Sequence, residues 1–280
     1  MKKLVKNMLT YSLKNGYVEV YIIPELGGKI SSIRYNDGFD PVFSKRSDYI
    51  KPNDFIFSNY DTSGIDDCIP TIDECQFNGS ILPDHGEVWA KKMDVIDVDY
   101  SSITLKLDLT SLNITFIKKI SLIDNTVRID YRVNSQETLP YLWAFHGLMK
   151  LEGCKKIIEP HKNMSIIQVD GFDMPIDYTN INGYTDNKTY KYYYTSKIED
   201  GTFGLEYENH ILKYKFDSNT IPYVGVWITT GGFKSEKNIA IEPTNGFYDS
   251  LIKAIENDKY TTVEANGSNK WYIEISIERK

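Results

Sequence analysis

Four histidines and a glutamate at the end of an apolar run are the residues with which this chain could move protons near neutral pH. His85 lies in Leu82-Pro83-Asp84-His85-Gly86-Glu87-Val88-Trp89. Proline and glycine there bracket an imidazole set among carboxylates, a pattern that fixes a loop backbone and can aim the ring at a cleft. His146 lies in the aromatic run Tyr141-Leu142-Trp143-Ala144-Phe145-His146-Gly147. Burial in such a run disfavours the imidazolium and lowers its pKa unless a carboxylate stands near. Glu242 lies in Asn238-Ile239-Ala240-Ile241-Glu242-Pro243-Thr244-Asn245-Gly246-Phe247. Pro243 has no amide hydrogen to donate and is expected to end regular pairing. A carboxylate at the end of a buried strand must be hydrogen-bonded, paired or raised in pKa, and a raised one can serve as a general base. Each has a plainer reading: a core histidine bonded to backbone for His146, a loop histidine in solvent for His85, an exposed edge carboxylate for Glu242. His161, between Pro160 and Lys162, and His210, in an expected hairpin turn, read as bystanders.

The thiols offer less. Cys68, Cys75 and Cys154 form neither an even disulfide framework nor a pair with zinc-ligand spacing, and no activating base adjoins them in sequence. Inert, buried thiols are expected, and no metal is called for. Lys plus Arg is 32 against 39 Asp plus Glu, a net charge of -7. That balance argues against a partner bound through its phosphate backbone, so nucleic acid is not expected. Lys6, Asn7, Thr10 and Ser12 interrupt the first apolar stretch, which argues against a signal peptide or membrane anchor and for a cytoplasmic protein.

The elements that must carry these side chains read as strands from end to end. Every second residue is apolar in Val18-Val20-Ile22, Leu105-Leu107-Leu109, Val127-Ile129-Tyr131-Val133, Phe203-Leu205-Tyr207, Leu212-Tyr214-Phe216 and Trp271-Ile273-Ile275-Ile277. That period buries one face of a sheet. Asp124-Asn125 and Glu208-Asn209 separate consecutive runs and predict antiparallel hairpins. A helix is expected only over Phe247 to Glu256, where Leu251, Ile252 and Ile255 share a face. The expectation is an all-β fold, a large antiparallel β-sandwich, in one domain over residues 1–280 without an interdomain linker or repeat. Its sheet edges leave room for a homodimer without specifying one. Two stretches break the alternation, Ser63 to Trp89 and Tyr178 to Ser196, and the first, dense in polar groups, is expected to hold chemistry.

The blocks Ser63-Gly64-Ile65-Asp66-Asp67-Cys68-Ile69-Pro70-Thr71-Ile72, Leu82 to Trp89, Trp143-Ala144-Phe145-His146, Pro222-Tyr223-Val224-Gly225-Val226-Trp227, Ile241-Glu242-Pro243 and Trp271-Tyr272-Ile273-Glu274-Ile275 occur in an order that resembles the aldose 1-epimerase (galactose mutarotase-like) family. The resemblance implies a β-supersandwich that binds a sugar ring in an open cleft and interconverts its α and β anomers by ring opening. It implies Glu242 as the base at the C1 hydroxyl, His146 as the acid at the ring oxygen and His85 as the second histidine on the ring-oxygen side. No cofactor is required. Trp227 would stack on the sugar, and Asp66, Asp67 and Glu74 would accept hydrogen bonds from its hydroxyls. Where relatives often carry an arginine, the chain has the acidic Ile69-Pro70-Thr71-Ile72-Asp73-Glu74, and Arg34, Arg46, Arg128, Arg132 and Arg279 all fall outside the blocks. A phosphorylated sugar wants clustered cations, so an uncharged sugar is expected. Asp170, Asp173 and Asp177 remain alternatives for a further hydroxyl contact. Two other functions stay open: a carbohydrate-binding or sensing protein without fast chemistry, and an epimerase or lyase acting at another sugar carbon.

Overall fold

The computed structural model of the protein describes residues 1–45, 47–162 and 164–280. Arg46, one of the five arginines, lies outside the described residues. The alternating runs form strands whose apolar faces meet between two large antiparallel sheets. Val18, Val20, Ile22, Leu105, Val127, Ile129, Val133, Leu205, Tyr214, Ile273 and Ile275 are all buried in that core. Each such side chain contributes on the order of 1.5–3 kcal/mol when removed from water. Both expected hairpins form: Ile123 pairs with Thr126 across Asp124-Asn125, and the strands Thr202–Tyr207 and His210–Phe216 pair on either side of Glu208-Asn209.

The larger sheet, as described, runs in the order Lys2–Val5, Met8–Lys14, Val18–Ile23, Lys29–Tyr35, Ile65–Cys68, Ala144–Gly147, Lys237–Thr244, Tyr223–Thr230, Thr189–Tyr194, Ile166–Gly171, with Met149–Lys150 also against Lys237–Thr244. The other sheet runs Cys154–Ile158, Thr202–Tyr207, His210–Phe216, Gly267–Arg279, Thr126–Ser135, Ile114–Ile123, Ser102–Asp108, Asp94–Val98. No helix among the described residues is long and apolar enough to cross a membrane.

The centre of the larger sheet decides which side chains leave the core. Ile239 and Ile241, Val224, Val226 and Ile228, and Tyr190, Tyr192 and Tyr194 belong to the inter-sheet core. Period-two alternation therefore turns Ala240 and Glu242, Gly225 and Trp227, and Lys191 and Tyr193 to the opposite face. Register aligns these in rows: Glu242 is opposite Gly225, Gly225 opposite Tyr193, and Ala240, Trp227 and Lys191 form the next row.

Three expectations need correction. Pro243 does not end its strand; it pairs opposite Val224 one residue before the strand closes at Thr244, a near-terminal position where a missing donor is tolerated. The helix spans Leu251–Glu256 and starts four residues later than the apolar spacing suggests, because Ser250 is extended and its hydroxyl caps the Lys253 amide. The irregular stretch Tyr178 to Ser196 contains the regular strand Thr189–Tyr194, which lies beside the glutamate strand's partner.

Candidate active site

Two strands and one loop bring Glu242, His146 and His85 together. Ala144 pairs with Thr244, so His146 comes beside Glu242, with His146 Nε2 3.7 Å from Glu242 Oε1. Both residues are buried. His85 arrives from the loop after Ser80–Leu82. Its ring sits edge-on to that of His146, centroids 5.0 Å apart. The loop turns there because the Gly86 amide donates to the Pro83 carbonyl, with His85 at φ +59° and Gly86 at +68°. Histidine is among the few non-glycine residues enriched at such angles. A Cβ on Gly86 would lie 2.0 Å from the Ile69 carbonyl oxygen, so only glycine lets the loop close onto that backbone. Phe57 then stacks on His85 at 3.9 Å and meets His146 edge-on at 5.6 Å, and Asp84 Oδ1 lies 2.8 Å from His85 Nδ1.

Two site residues come from segments in which no chemistry is legible at first. Lys191 Nζ lies 3.9 Å from Glu242 Oε2 and 2.9 Å from Asp249 Oδ1, and the Tyr193 hydroxyl donates to the same Asp249 oxygen at 2.6 Å. Asp249 is free to reach them because the helix begins only after Ser250. The signal for Lys191 was the alternation in Thr189-Tyr190-Lys191-Tyr192-Tyr193-Tyr194: core tyrosines at even positions force the lysine to the cleft face. Gly225 leaves the gap these groups need. A Cβ there would meet the Tyr193 ring at 3.1 Å and Glu242 Oε2 at 3.4 Å.

Electrostatics follow from this burial. Loss of water raises the Glu242 carboxyl above its ordinary value; Lys191 opposes that rise, and Asp249 and Asp73 add to it. Burial pushes the His146 imidazole well below its usual value, with His85 and Lys191 adding to the effect. Burial alone would also lower Lys191, but Asp249 and Glu242 outweigh it and the ammonium is held charged. Burial thus works against both charged forms, the Glu242 carboxylate and the His146 imidazolium, while Lys191 works in favour of the first.

The other expected binding residues separate. Asp66 stands opposite His146 on the neighbouring strand, but it is buried and ion-paired with Lys29, which also donates to the Ser63 carbonyl at 2.6 Å. Asp66 is therefore held by Lys29 in the interior. Asp67 is a correction: adjacent strand residues face opposite sides, and its carboxylate lies in the inter-sheet core, 2.8 Å from Lys118 Nζ and 3.2 Å from Trp143 Nε1. Glu74 is exposed on the loop before Cys75–Phe77, and no described contact ties it to Glu242; its neighbour Asp73 is the one joined to the site, through its amide on the Asp249 carbonyl at 2.6 Å. Trp227 lies on the cleft face one row from Glu242, half-buried, with Nε1 donating to Asn238 at 3.2 Å. Asp170, in the strand Ile166–Gly171, and Asp177, in the loop beyond it, are exposed and accept from near neighbours, Gly171 and Thr179, Asp173 is exposed, and His161 and His210 pair with Asp200 and Asp37 away from this group. Burial pushes the Cys154 thiol up to about 12 and Cys68 well above its ordinary value, which leaves both unreactive.

No family model matches this sequence, and no curated protein matches it at a significant level. Solved structures do. A galactose mutarotase-like protein from Clostridium acetobutylicum superposes with a TM-score of 0.69 at 16% identity, covering 100% of this chain and 98% of that one. One from Lactobacillus casei gives 0.68 at 16% identity, covering 96% and 100%. A galactose mutarotase related enzyme from Lactobacillus acidophilus gives 0.65 at 14% identity, covering 96% and 97%. The likeness spans nearly the whole of each chain and is one of fold.

Proposed function

We propose that the protein is an aldose 1-epimerase-like isomerase that interconverts the α and β anomers of an uncharged sugar. The observation that carries this reading is the convergence of Glu242, His146 and His85 on one face of the larger sheet, with the carboxylate 3.7 Å from one imidazole and that ring 5.0 Å from the other. In the working state Glu242 is ionised and His146 protonated. Glu242 removes the proton from the C1 hydroxyl; the freed electron pair forms the C1 carbonyl as the bond from C1 to the ring oxygen breaks; His146 protonates that oxygen. Rotation about C1–C2 and reclosure by the reverse proton movements give the other anomer. The pair begins and ends with one proton, so no outside donor is needed. Such positioned transfers contribute roughly 10²- to 10⁴-fold each.

His85, stacked on Phe57 and edge-on to His146, supports the ring-oxygen side, and Trp227 offers an apolar platform one row away. An uncharged substrate suits the electrostatics, because Lys191 is already engaged by Asp249 and Glu242. Exchange-spectroscopy NMR on a panel of free neutral sugars tests the proposal. Faster anomer exchange than in buffer for at least one sugar supports it, and none for any sugar contradicts it. The depressed basicity of His146 favours a second reading, a sugar-binding protein with slow chemistry; calorimetric binding without exchange would select it.

A further inference from the structure

Lys191 is absent from every motif block, yet its ammonium is set into the side of the cleft with only 13% of its side chain exposed. Its two carboxylate partners define its orientation. Asp249 Oδ1 accepts at 2.9 Å, the Tyr193 hydroxyl fixes that same oxygen from the other side at 2.6 Å, and Glu242 Oε2 lies 3.9 Å away. The two oxygens of Glu242 are thereby divided, Oε2 toward the lysine and Oε1 toward His146. Gly225, between Glu242 and Tyr193 in register, leaves both uncrowded by a side chain.

We propose that Lys191, anchored by Asp249 and Tyr193, is a positioning residue that keeps Glu242 ionised and turned toward His146. The proposal rests on the reading of Glu242 as the base and explains how a buried carboxylate can hold that role. The groups facing Glu242 are His146 from the neighbouring strand, Lys191 and Tyr193 from the strand beyond Gly225, Asp249 from the segment after its own strand, Asp73 from the loop before Cys75–Phe77 and His85 from the loop after Ser80–Leu82. Cys68 adjoins the His146 strand. Asp249 and Asp73 repel a charge on Glu242 and burial opposes it, so of these neighbours Lys191 is the strongest influence holding the carboxylate charged. Direct nucleophilic use of the lysine does not fit the same surroundings, because two carboxylates keep its nitrogen protonated.

Lys191→Met removes the charge at similar length, and Lys191→Arg keeps it. In protein labelled with ¹³C at glutamate carboxyls, with the Glu242 signal identified by its loss in Glu242→Gln, the Glu242 titration is expected to move to higher pH in Lys191→Met and to stay near the parent's in Lys191→Arg. Peak kcat/KM for anomer exchange is expected to fall at least roughly tenfold in Lys191→Met, the equivalent of one unit of carboxyl ionisation, with partial recovery in Lys191→Arg. Asp249→Asn provides the opposite sign: the amide oxygen can still accept from the lysine, and with one repelling carboxylate gone the Glu242 titration is expected to move to lower pH. An unmoved Glu242 titration in folded Lys191→Met, or in Asp249→Asn should the methionine variant not fold, overturns the proposal. If the titrations shift as expected while the parent exchanges no anomers, the lysine's hold on Glu242 stands and the isomerase reading fails.

Discussion

Replacing Asp67 with alanine separates a structural aspartate from a sugar-binding one. In the folded protein Asp67 and Lys118 are both 0% exposed at the side chain, 2.8 Å apart, and Trp143 Nε1 donates to the second carboxylate oxygen at 3.2 Å. Alanine leaves the Lys118 ammonium with the Gly28 carbonyl at 3.2 Å as its remaining described partner. Breaking a buried ion pair on one side costs about 3–5 kcal/mol, because the surviving charge is uncompensated. The orphaned indole N–H is part of the same network, so its cost is not added separately. For a chain of 280 residues the unfolding entropy near the midpoint is on the order of 0.6 kcal/mol per kelvin, which converts that loss to a fall in Tm of roughly 5–9 °C. Thermal scans followed by tryptophan fluorescence measure it. The double variant Asp67→Ala/Lys118→Met, which removes both charges, is expected to recover most of the loss. Anomer exchange assayed well below the midpoint should keep a parent-like KM. An unchanged Tm together with a KM raised tenfold or more would refute the placement of Asp67 in the core.

Gly225→Ala places a methyl 3.1 Å from the Tyr193 ring, which must yield by a few tenths of an ångström, and in ordinary contact with Glu242 Oε2 at 3.4 Å. Tyr193 holds Asp249 and, through it, Lys191, so the expected result is a fall in kcat of roughly tenfold from the disturbed surroundings of Glu242, with a stability loss of about 1–3 kcal/mol; kcat equal to the parent's in a folded variant contradicts the crowding argument. In the free protein, burial lowers the His146 pKa, so the ring should be neutral at about pH 7, seen as unprotonated imidazole shifts by NMR, and a fully charged ring there would count against the site's low polarity. In the proposed mechanism the Glu242–His146 pair acts while it holds one proton, so kcat/KM should fall on both the acid and the alkaline side, and a profile flat from about pH 4 to 9 would exclude that pair as the proton carrier.

Much of the fold was legible because its strands alternate strictly: the runs ending in Tyr131-Val133, Tyr214-Phe216 and Ile273-Ile275 each turn one apolar face inward, and the core is built from those faces. The two histidines and Glu242 could be singled out by their settings: His85 between a proline and a glycine, and His146 and Glu242 each the titratable group of an apolar run. Their meeting is a matter of register, with Ala144 opposite Thr244, and no local pattern states which strand lies next to which. Alternation also held an unused warning about Asp66 and Asp67. Neighbours on a strand face opposite ways, so only one of them could look toward the cleft, and the lysine that claims Asp67 lies 51 residues away. Lys191 was hidden by its company, since four tyrosines among six residues blur the period that would have shown a strand. Asp249 was hidden by an apolar spacing that extends the helix backwards, where the Ser250 cap cuts it short.

The measurement that bears most directly on the central claim is the anomer-exchange rate of Glu242→Gln beside that of the parent, on the neutral sugar the parent turns over fastest. A neutral amide is nearly the same shape as the carboxylate and cannot take the proton. The rate is predicted to fall by about 10²- to 10⁴-fold while the thermal midpoint shows a folded protein. Exchange at the parent's rate would contradict the account and remove Glu242 from the chemistry.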